Sequence, residues 1–205
     1  MQELLGPLYE CTFVVLYQIV SGAGHCTIVR VALARLSISA TLSGSATAIK
    51  NASHVIVPGV GEASSAMEKL RATGLDKLLP TLTQPVLGIC LGMQLMCNHT
   101  KEGDTTGLGI FDTAVVRFKT NLNVPHMGWS TVEGKGLLFK DIDANSHFYM
   151  VHSFYAVPND NMVGACTYDV PFAAALAKDN FYGTQFHPEK SGAVGARLLQ
   201  NFLAL

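Results

Sequence analysis

The feature that most constrains the fold is a short apolar run that ends in a cysteine flanked by glycines. Gln84–Ile89 has the character of a strand buried on both faces, and a helical pattern begins at about Leu91 and continues to Asn98. Residues 88–92 between them read Gly-Ile-Cys-Leu-Gly, the cysteine form of a nucleophile elbow. Such a turn is tight and strained, and its glycines leave room for neighbouring backbone. The segment predicts a β-strand that leads directly into an α-helix, with Cys90 between them.

The first half of the chain repeats this strand–turn–helix alternation, which is typical of a parallel sheet with helices on both faces. In the second half the strands follow one another more closely, which favours antiparallel pairing. We therefore predict a three-layer α/β fold, with a mostly parallel central sheet, flanking helices and additional antiparallel strands in the second half. Residues 1–205 are expected to form one domain, with residues 1–12 as an N-terminal extension. Predicted strands are Phe13–Tyr17, Ser37–Leu42, His54–Val57, Gln84–Ile89, Val115–Phe118, Ser130–Glu133, His147–His152, Met162–Tyr168 and Phe172–Lys178, and further predicted helices are Thr27–Leu36, Ser64–Thr73, Leu75–Leu79 and Val194–Leu203.

Charge and cysteine content argue against several classes of protein. The net charge is −1 with acids and bases mixed along the chain, unlike the basic stripe of a nucleic-acid-binding protein. The five cysteines show no paired spacing, so a zinc site or redox pair has little support, and their odd number is typical of a reducing cytosol. The N-terminal region lacks the basic start of a signal peptide and is too interrupted to span a membrane. We expect a cytoplasmic protein that binds neither nucleic acid nor membrane.

The predicted position of Cys90 suits a nucleophile. Backbone amides and the dipole at a helix N-terminus favour the thiolate, which is the form that attacks a carbonyl carbon. The amide of Leu91 is well placed to stabilise the resulting oxyanion. The alternative is a buried structural cysteine, which is the usual fate of an isolated one. The other cysteines lack the flanking glycines and the strand context and are predicted to be packing residues: Cys11, Cys26, Cys97 and Cys166.

A cysteine nucleophile needs a base, and one of the seven histidines lies in a suitable segment. His187 follows an apolar stretch, and Pro188 restricts its backbone to an extended conformation. Glu189 can hydrogen-bond the far ring nitrogen of His187 and so fix the tautomer. An isolated His-Pro-Glu is more often a polar turn after an edge strand, but its combination with the elbow favours the catalytic interpretation.

Together these segments resemble the class I (triad-type) glutamine amidotransferases. The resemblance rests on residues 86–94 (Val-Leu-Gly-Ile-Cys-Leu-Gly-Met-Gln), residues 185–189 (Gln-Phe-His-Pro-Glu) and the turn at residues 58–61 (Pro-Gly-Val-Gly). It implies a glutaminase that releases ammonia from glutamine without a metal or an organic cofactor. The residues that it implies are a catalytic triad of Cys90, His187 and Glu189, and an oxyanion site formed by Gly59, Val60, Gly61 and Leu91.

Further segments resemble, within this family, the glutaminase subunits of imidazole glycerol phosphate synthases. They lie at residues 125–129 (Pro-His-Met-Gly-Trp), 149–153, 178–182 and 189–192. This resemblance implies a heterodimer with a (β/α)₈ cyclase subunit, which receives the ammonia in histidine biosynthesis. It also implies that the substrate glutamine is held by Gln94, Glu102, Ser153 and Phe154, and that the partner lies near His126, Met127 and Trp129.

The N-terminal region departs from the family pattern. Gln18–Ser21 separates Tyr17 from a glycine-containing turn, and His25 stands where an asparagine is usual. On the sequence alone three alternatives stay open. The chain could be an ammonia-donating subunit for anthranilate, guanylate or pyridoxal phosphate synthesis, a catalytically silent scaffold of the same fold, or a stand-alone cysteine hydrolase.

Overall fold

The computed structural model describes residues 13–16 and 23–205, with side chains from Cys26 onward. The predicted extension over residues 1–12, the turn after Tyr17, the side chain of His25 and the predicted packing residue Cys11 lie outside this description. Within the described residues, no helix combines the length and the apolar character that crossing a membrane requires.

The first half of the chain alternates strands with helices, as its sequence pattern predicts. A glycine turn or a short polar loop separates most of these elements, because such residues end regular structure. The 3-10 turn Leu79–Thr81 follows α4. The elements are β1 (Phe13–Leu16), α1 (Ala23–Arg35), β2 (Ala40–Ser43), α2 (Ala46–Asn51), β3 (His54–Gly59), α3 (Ala63–Ala72), α4 (Leu75–Leu78), β4 (Val86–Cys90) and α5 (Leu91–Leu95).

The second half is rich in strands and ends in a helix. Further 3-10 turns cover Glu102–Asp104, Leu137–Phe139 and Pro188–Lys190. The regular elements are β5 (Cys97–Thr100), β6 (Thr105–Thr106), β7 (Phe111–Arg117), β8 (His126–Thr131), β9 (Glu133–Gly134), β10 (His147–His152), β11 (Phe154–Ala156), β12 (Met162–Tyr168), β13 (Val170–Lys178), β14 (Phe181–Thr184) and α6 (Gly192–Leu203).

The central sheet is parallel on one side and mixed on the other. In the described part of the chain its strand order is β2-β1-β3-β4-β14-β13-β11-β7-β5-β6, and β12 pairs with both β13 and β9. The strands from β2 to β14 in this order pair in parallel, whereas β13 pairs antiparallel with β14, β11 and β12. Strands β8 and β10 form a separate antiparallel pair. This is the predicted mixed α/β architecture.

Two apolar layers cover the two faces of the parallel strands. Side chains alternate along each strand, so Val55 and Val57 pack toward α3 and α5, whereas Ile56 packs toward α1 and α6. In β4 the same alternation sends Val86 to the first layer and Leu87 to the second. The sheet therefore lies between two layers of helices, as the near-continuous apolar runs of the sequence predict.

The helix that follows Cys90 is shorter than predicted. It ends at Leu95, and the predicted extension to Asn98 is instead part of β5. The reason is a long-range contact, since β5 pairs in parallel with β7 and Cys97 lies opposite Phe111. Apolar spacing within a single segment does not reveal this pairing.

Several short elements were not predicted at all. Four of them are strands of two to four residues, too short for a clear alternation, and the fifth is a helix of six residues. The predicted strand Ser130–Glu133 is also wrong in its bounds, because β8 begins at His126 and ends at Thr131, and a separate strand, β9, begins at Glu133. The elements missed are α2, β5, β6, β11 and β14.

Candidate active site

The candidate site lies where three neighbouring parallel strands end. β4 is flanked by β3 and β14, and Gly59 at the end of β3 lies opposite Cys90 at the end of β4. His187 follows β14 by three residues. Carboxyl ends of adjacent parallel strands form the usual ligand-binding crevice of an open α/β sheet. The topology therefore brings together the elbow, the glycine turn and the His-Pro-Glu segment.

Cys90 occupies the strained turn that the glycine pattern predicts. Its backbone has φ 54° and ψ −110°, and the residue is 8% exposed. Close packing surrounds the turn, because a Cβ atom on Gly59 would come within 2.5 Å of the Gly92 nitrogen, and one on Gly88 within 2.7 Å of the Met93 nitrogen. Only glycine fits these positions, so β3, β4 and α5 approach closely enough to hold the sulfur at the end of the strand.

His187 is held at its ring and at its backbone. Its Nδ1 lies 2.8 Å from Oε1 of Glu189, and both side chains are almost completely buried. Its backbone N–H donates to the Tyr149 carbonyl at 3.0 Å, and its own carbonyl accepts from the Ser191 hydroxyl at 2.7 Å. These contacts fix the direction of the ring. Since a carboxylate only accepts, Nδ1 carries a hydrogen and Nε2 faces away from Glu189.

The charge balance around His187 favours the imidazolium. Burial alone lowers the pKa of His187, but the adjacent Cys90 sulfur and the Glu189 carboxylate outweigh burial and raise this pKa to about 10. A positively charged ring beside a sulfur atom stabilises the thiolate. The pair can therefore supply a nucleophile together with an acid for a leaving group.

A cavity of about 290 Å³ opens over the sulfur atom. This volume is at the low end for small-molecule sites, and its walls combine apolar side chains with a few polar groups. The lining residues are Val60, Gly61, Cys90, Leu91, Gln94, Glu102, Pro125, Val151, His152, Ser153, Phe154 and His187.

Two polar side chains of the wall are held in fixed orientations. Gln94 donates from Nε2 to the Phe154 carbonyl and to Oε1 of Gln185, both at 2.9 Å. Because both amide hydrogens are used, Gln94 can offer only its carbonyl oxygen to a ligand. Glu102 accepts from the backbone N–H of Ala63 at 3.0 Å, and burial raises the pKa of Glu102. Both side chains thus present acceptors to the cavity.

A sequence model of the family described as "Glutamine amidotransferase class-I" matches residues 9–205. The chain belongs to this family.

Two curated relatives of this amidotransferase carry the same name. The chain is 50% identical over 187 residues to the imidazole glycerol phosphate synthase subunit HisH of Bacteroides thetaiotaomicron, covering 89% of this chain and 95% of the relative. It is 44% identical over 187 residues to the protein of the same name from Mannheimia succiniciproducens, covering 89% and 96%.

Solved structures agree with the fold of the amidotransferase. One described as a glutamine amidotransferase superposes with a TM-score of 0.74 at 18% identity, covering 94% of this chain and 97% of that one. The PurLQS structure from Thermotoga maritima gives a TM-score of 0.68 at 18% identity, covering 94% and 98%. At this identity the likeness establishes the fold only.

The predicted site residues of the amidotransferase come together with two exceptions. Gly59 lies behind the cavity wall, where it packs against Leu91 and Gly92. The second exception concerns the expected partner surface, since Met127 and Trp129 are 62% and 55% exposed, whereas His126 is buried on the opposite face of β8. Within the described residues, no three His, Cys, Asp or Glu side chains are placed to hold a metal ion.

Four residues of the site were assigned no role from the sequence. Pro125, Val151 and His152 line the cavity, and the fully buried Gln185 donates to the Cys90 sulfur at 3.6 Å. One signal was available for Gln185, because side chains two residues apart on an extended strand point the same way as each other. If the chain stayed extended up to His187, Gln185 would lie on the same side of the chain as His187.

Proposed function

We propose that this chain is the glutaminase subunit of an imidazole glycerol phosphate synthase, with Cys90 as nucleophile, His187 as acid and base, and Glu189 as the residue that orients His187. The observation that carries the chemistry is the buried His187–Glu189 pair, 2.8 Å apart, beside a cysteine in a strained turn. The choice among amidotransferases is supported by 50% identity to a curated HisH over 95% of its length.

The reaction begins when the Cys90 thiolate attacks the side-chain amide carbon of glutamine. The carbon–nitrogen bond then breaks, and His187 gives its proton to the departing ammonia, which leaves a glutamyl thioester on the sulfur. Water that loses a proton to His187 hydrolyses the thioester, and glutamate leaves. Each step moves a proton to or from the His187 ring beside the sulfur.

Backbone amides stabilise the oxyanion of both steps. Leu91 follows the nucleophile and lines the cavity, and Val60 and Gly61 line it from the end of β3. Gly59 contributes by its close packing against α5, which sets the distance between these two backbones. One such donor is typically worth about 3 kcal/mol in the transition state.

The polarity of the wall orients the substrate. Gln94 offers a carbonyl oxygen and Glu102 a carboxylate, and both are acceptors suited to the α-ammonium group of glutamine. Ser153 and Phe154 form the facing wall. The Phe154 carbonyl already accepts hydrogen bonds from Gln94 and from His152. It therefore stabilises the wall, and neighbouring groups contact the substrate.

The ammonia passes to a cyclase subunit of (β/α)₈ type. This subunit docks on β8 and forms a heterodimer with the chain. Pro125 lines the cavity immediately before β8, and Met127 and Trp129 are exposed on the same segment. An apolar exposed strand next to the reaction cavity is what a shielded transfer of ammonia requires. His126 supports this strand from its buried face.

The test is glutamate release by the purified chain, alone and with a histidine-pathway cyclase and its nucleotide ligand. We expect slow turnover alone, stimulation of about tenfold or more in the mixture, and no turnover for Cys90→Ala. Cys26→Ala, which removes a buried cysteine of α1, is the matched control and should keep its activity. Fast turnover that the cyclase does not change would reject the subunit assignment and keep the triad.

A further inference from the structure

A continuous line of buried and partly buried hydrogen bonds connects strand β8 to the Cys90 sulfur. It begins at the Ser130 hydroxyl, 2.8 Å from Nε2 of His126, and continues from Nδ1 of His126 to Nε2 of His152 at 3.1 Å. Nδ1 of His152 lies 2.8 Å from the Phe154 carbonyl. The same carbonyl accepts from Gln94, which in turn donates to Gln185.

Two facts set the direction of the bonds in this line. Burial lowers the pKa of His126 and brings that of His152 to about 3, so both rings are neutral. The Phe154 oxygen can only accept, so Nδ1 of His152 is the donor and its Nε2 is an acceptor. His126 must then donate from Nδ1, and its Nε2 accepts from Ser130. Each of the two neutral rings therefore carries its hydrogen on Nδ1.

The same reasoning fixes the amide of Gln185. Gln94 must point Nε2 at the Phe154 carbonyl, so its second hydrogen meets Gln185. Gln185 must accept this hydrogen bond with its side-chain oxygen, because two NH₂ groups cannot hydrogen-bond to one another. Its own NH₂ group then points at the Cys90 sulfur, 3.6 Å away. The residue is fully buried, so water cannot replace these partners.

We propose that Gln185 is a positioning residue for the nucleophile, which donates a hydrogen bond to the Cys90 sulfur and is held in that orientation by Gln94, itself fixed by the Phe154 carbonyl. The inference rests on the proposed function, because it takes Cys90 as the nucleophile. A donor aimed at the sulfur stabilises the thiolate and fixes its direction relative to His187. The bond weakens once the sulfur becomes an uncharged thioester.

The test compares the pH dependence of Cys90 alkylation by iodoacetamide in the full chain, measured by peptide mass spectrometry. The other ionisable groups around the sulfur are His187 with Glu189 behind it, and His152 and Glu102 in the cavity wall. In Gln185→Met, which keeps the shape and lacks the donor, we expect the midpoint of alkylation to rise by about one pH unit. Gln185→Glu should raise it further, because a carboxylate repels the thiolate.

The matched control is Gln84→Met. The Gln84 side-chain amide also donates a hydrogen bond, to the Ile49 carbonyl at 2.7 Å, but Gln84 precedes the opposite end of β4. In Gln84→Met, the midpoint of Cys90 alkylation should equal that of the wild type. Equal midpoints for Gln185→Met and the wild type would overturn the inference. A wild-type chain whose Cys90 reacts no faster than the buried Cys97 would instead reject the proposed nucleophile.

A second measurement needs no change at Gln185. In the ¹⁵N-labelled wild-type chain, one side-chain NH₂ proton of Gln185 should shift over the pH range in which Cys90 becomes reactive, and Cys90→Ala should abolish the shift. Alkylation of Cys90 should move the same resonance. A Gln185 resonance that responds to neither treatment would show that the amide does not bond the sulfur.

Discussion

Two buried histidines in one cavity wall have opposite pKa shifts. His152 has a neutral histidine and a carbonyl as partners, so burial dominates and lowers its pKa to about 3. His187 is buried too, but the sulfur and the carboxylate on either side of it raise its pKa to about 10. The partner of each ring, more than its depth, decides its charge. Only the second ring is suited to giving a proton to a leaving group.

The contact between Glu189 and His187 can be tested by removing one charge. Glu189→Gln keeps the size of the side chain but can present its NH₂ group to Nδ1, which favours the wrong tautomer. We expect kcat for glutamate release to fall by about 10² to 10⁴, with little change in KM because Glu189 does not line the cavity. Glu68→Gln, on the exposed face of α3, is the control. A loss below threefold would reject the orienting role.

The low pKa of His152 makes the stability of the fold depend on pH. A histidine that titrates near 6.5 when unfolded and near 3 when folded is neutral in the fold, so its contribution is present above pH 6.5 and is lost as pH falls toward 3. Between pH 7.5 and pH 5 the loss should be about 2 kcal/mol. Urea titrations give the free energy of unfolding at the two pH values. Its decrease from pH 7.5 to pH 5 should be about 2 kcal/mol smaller in His152→Asn than in the wild type, whereas exposed His147→Asn should follow the wild type. Parallel curves for all three chains would contradict this assignment.

At the scale of elements, the sequence predicts well what is decided locally. The apolar run before Cys90, the glycines around it and the His-Pro-Glu segment each depend on neighbouring residues, and all three were found from the pattern. The strand β14 was missed because its four residues owe their position to pairing with β4 and β13. Gln185 received no role for the same reason, since its partners are 91 and 95 residues away.

The elbow itself predicts a difference between two glycine substitutions. A Cβ atom on Gly92 would collide with the Val57 carbonyl oxygen, which belongs to a strand that cannot retreat, whereas nothing lies within 4 Å of a Cβ atom on Gly74. Gly92→Ala should lower the free energy of unfolding by about 2 to 4 kcal/mol. Gly74→Ala should lose only about 1 kcal/mol, from its positive φ of 70°. Urea unfolding of both variants gives the comparison, and equal losses would show that α5 can move away from β3.

At the scale of the whole molecule, the reaction cavity lies between a rigid sheet and an exposed strand pair. The proposed triad residues lie at the end of the parallel strand β4 and just beyond the end of β14, whereas Pro125, His152 and the exposed Trp129 belong to the segments that form the β8–β10 pair. Trp129 lies opposite Tyr149 in this pair, with the two rings 5.9 Å apart. The Tyr149 carbonyl in turn holds the backbone of His187. The exposed surface is therefore one residue pair away from His187, the proposed catalytic base.

This arrangement predicts that Trp129 contributes to partner binding more than to chemistry. Trp129→Ala should weaken binding of the cyclase by about 2 to 4 kcal/mol, which is roughly 30-fold to 1000-fold in Kd. Turnover of glutamine by the chain alone should stay within about twofold, because the side chain does not line the cavity. Calorimetric titration measures the affinity. Trp129 is the single tryptophan of the chain, so the wild-type emission should also shift on docking.

The control for this prediction is Leu137→Ala. Leu137 is 62% exposed, as Met127 is, but it lies in the 3-10 turn that contacts α6. If exposure of an apolar side chain were enough, both variants would bind the cyclase equally weakly. If the cyclase docks on the surface that adjoins the cavity, as proposed, only Trp129→Ala should lose affinity and the stimulation of glutamate release. Equal affinities for the two variants would place the cyclase on another face and would leave ammonia without a sheltered route from Cys90.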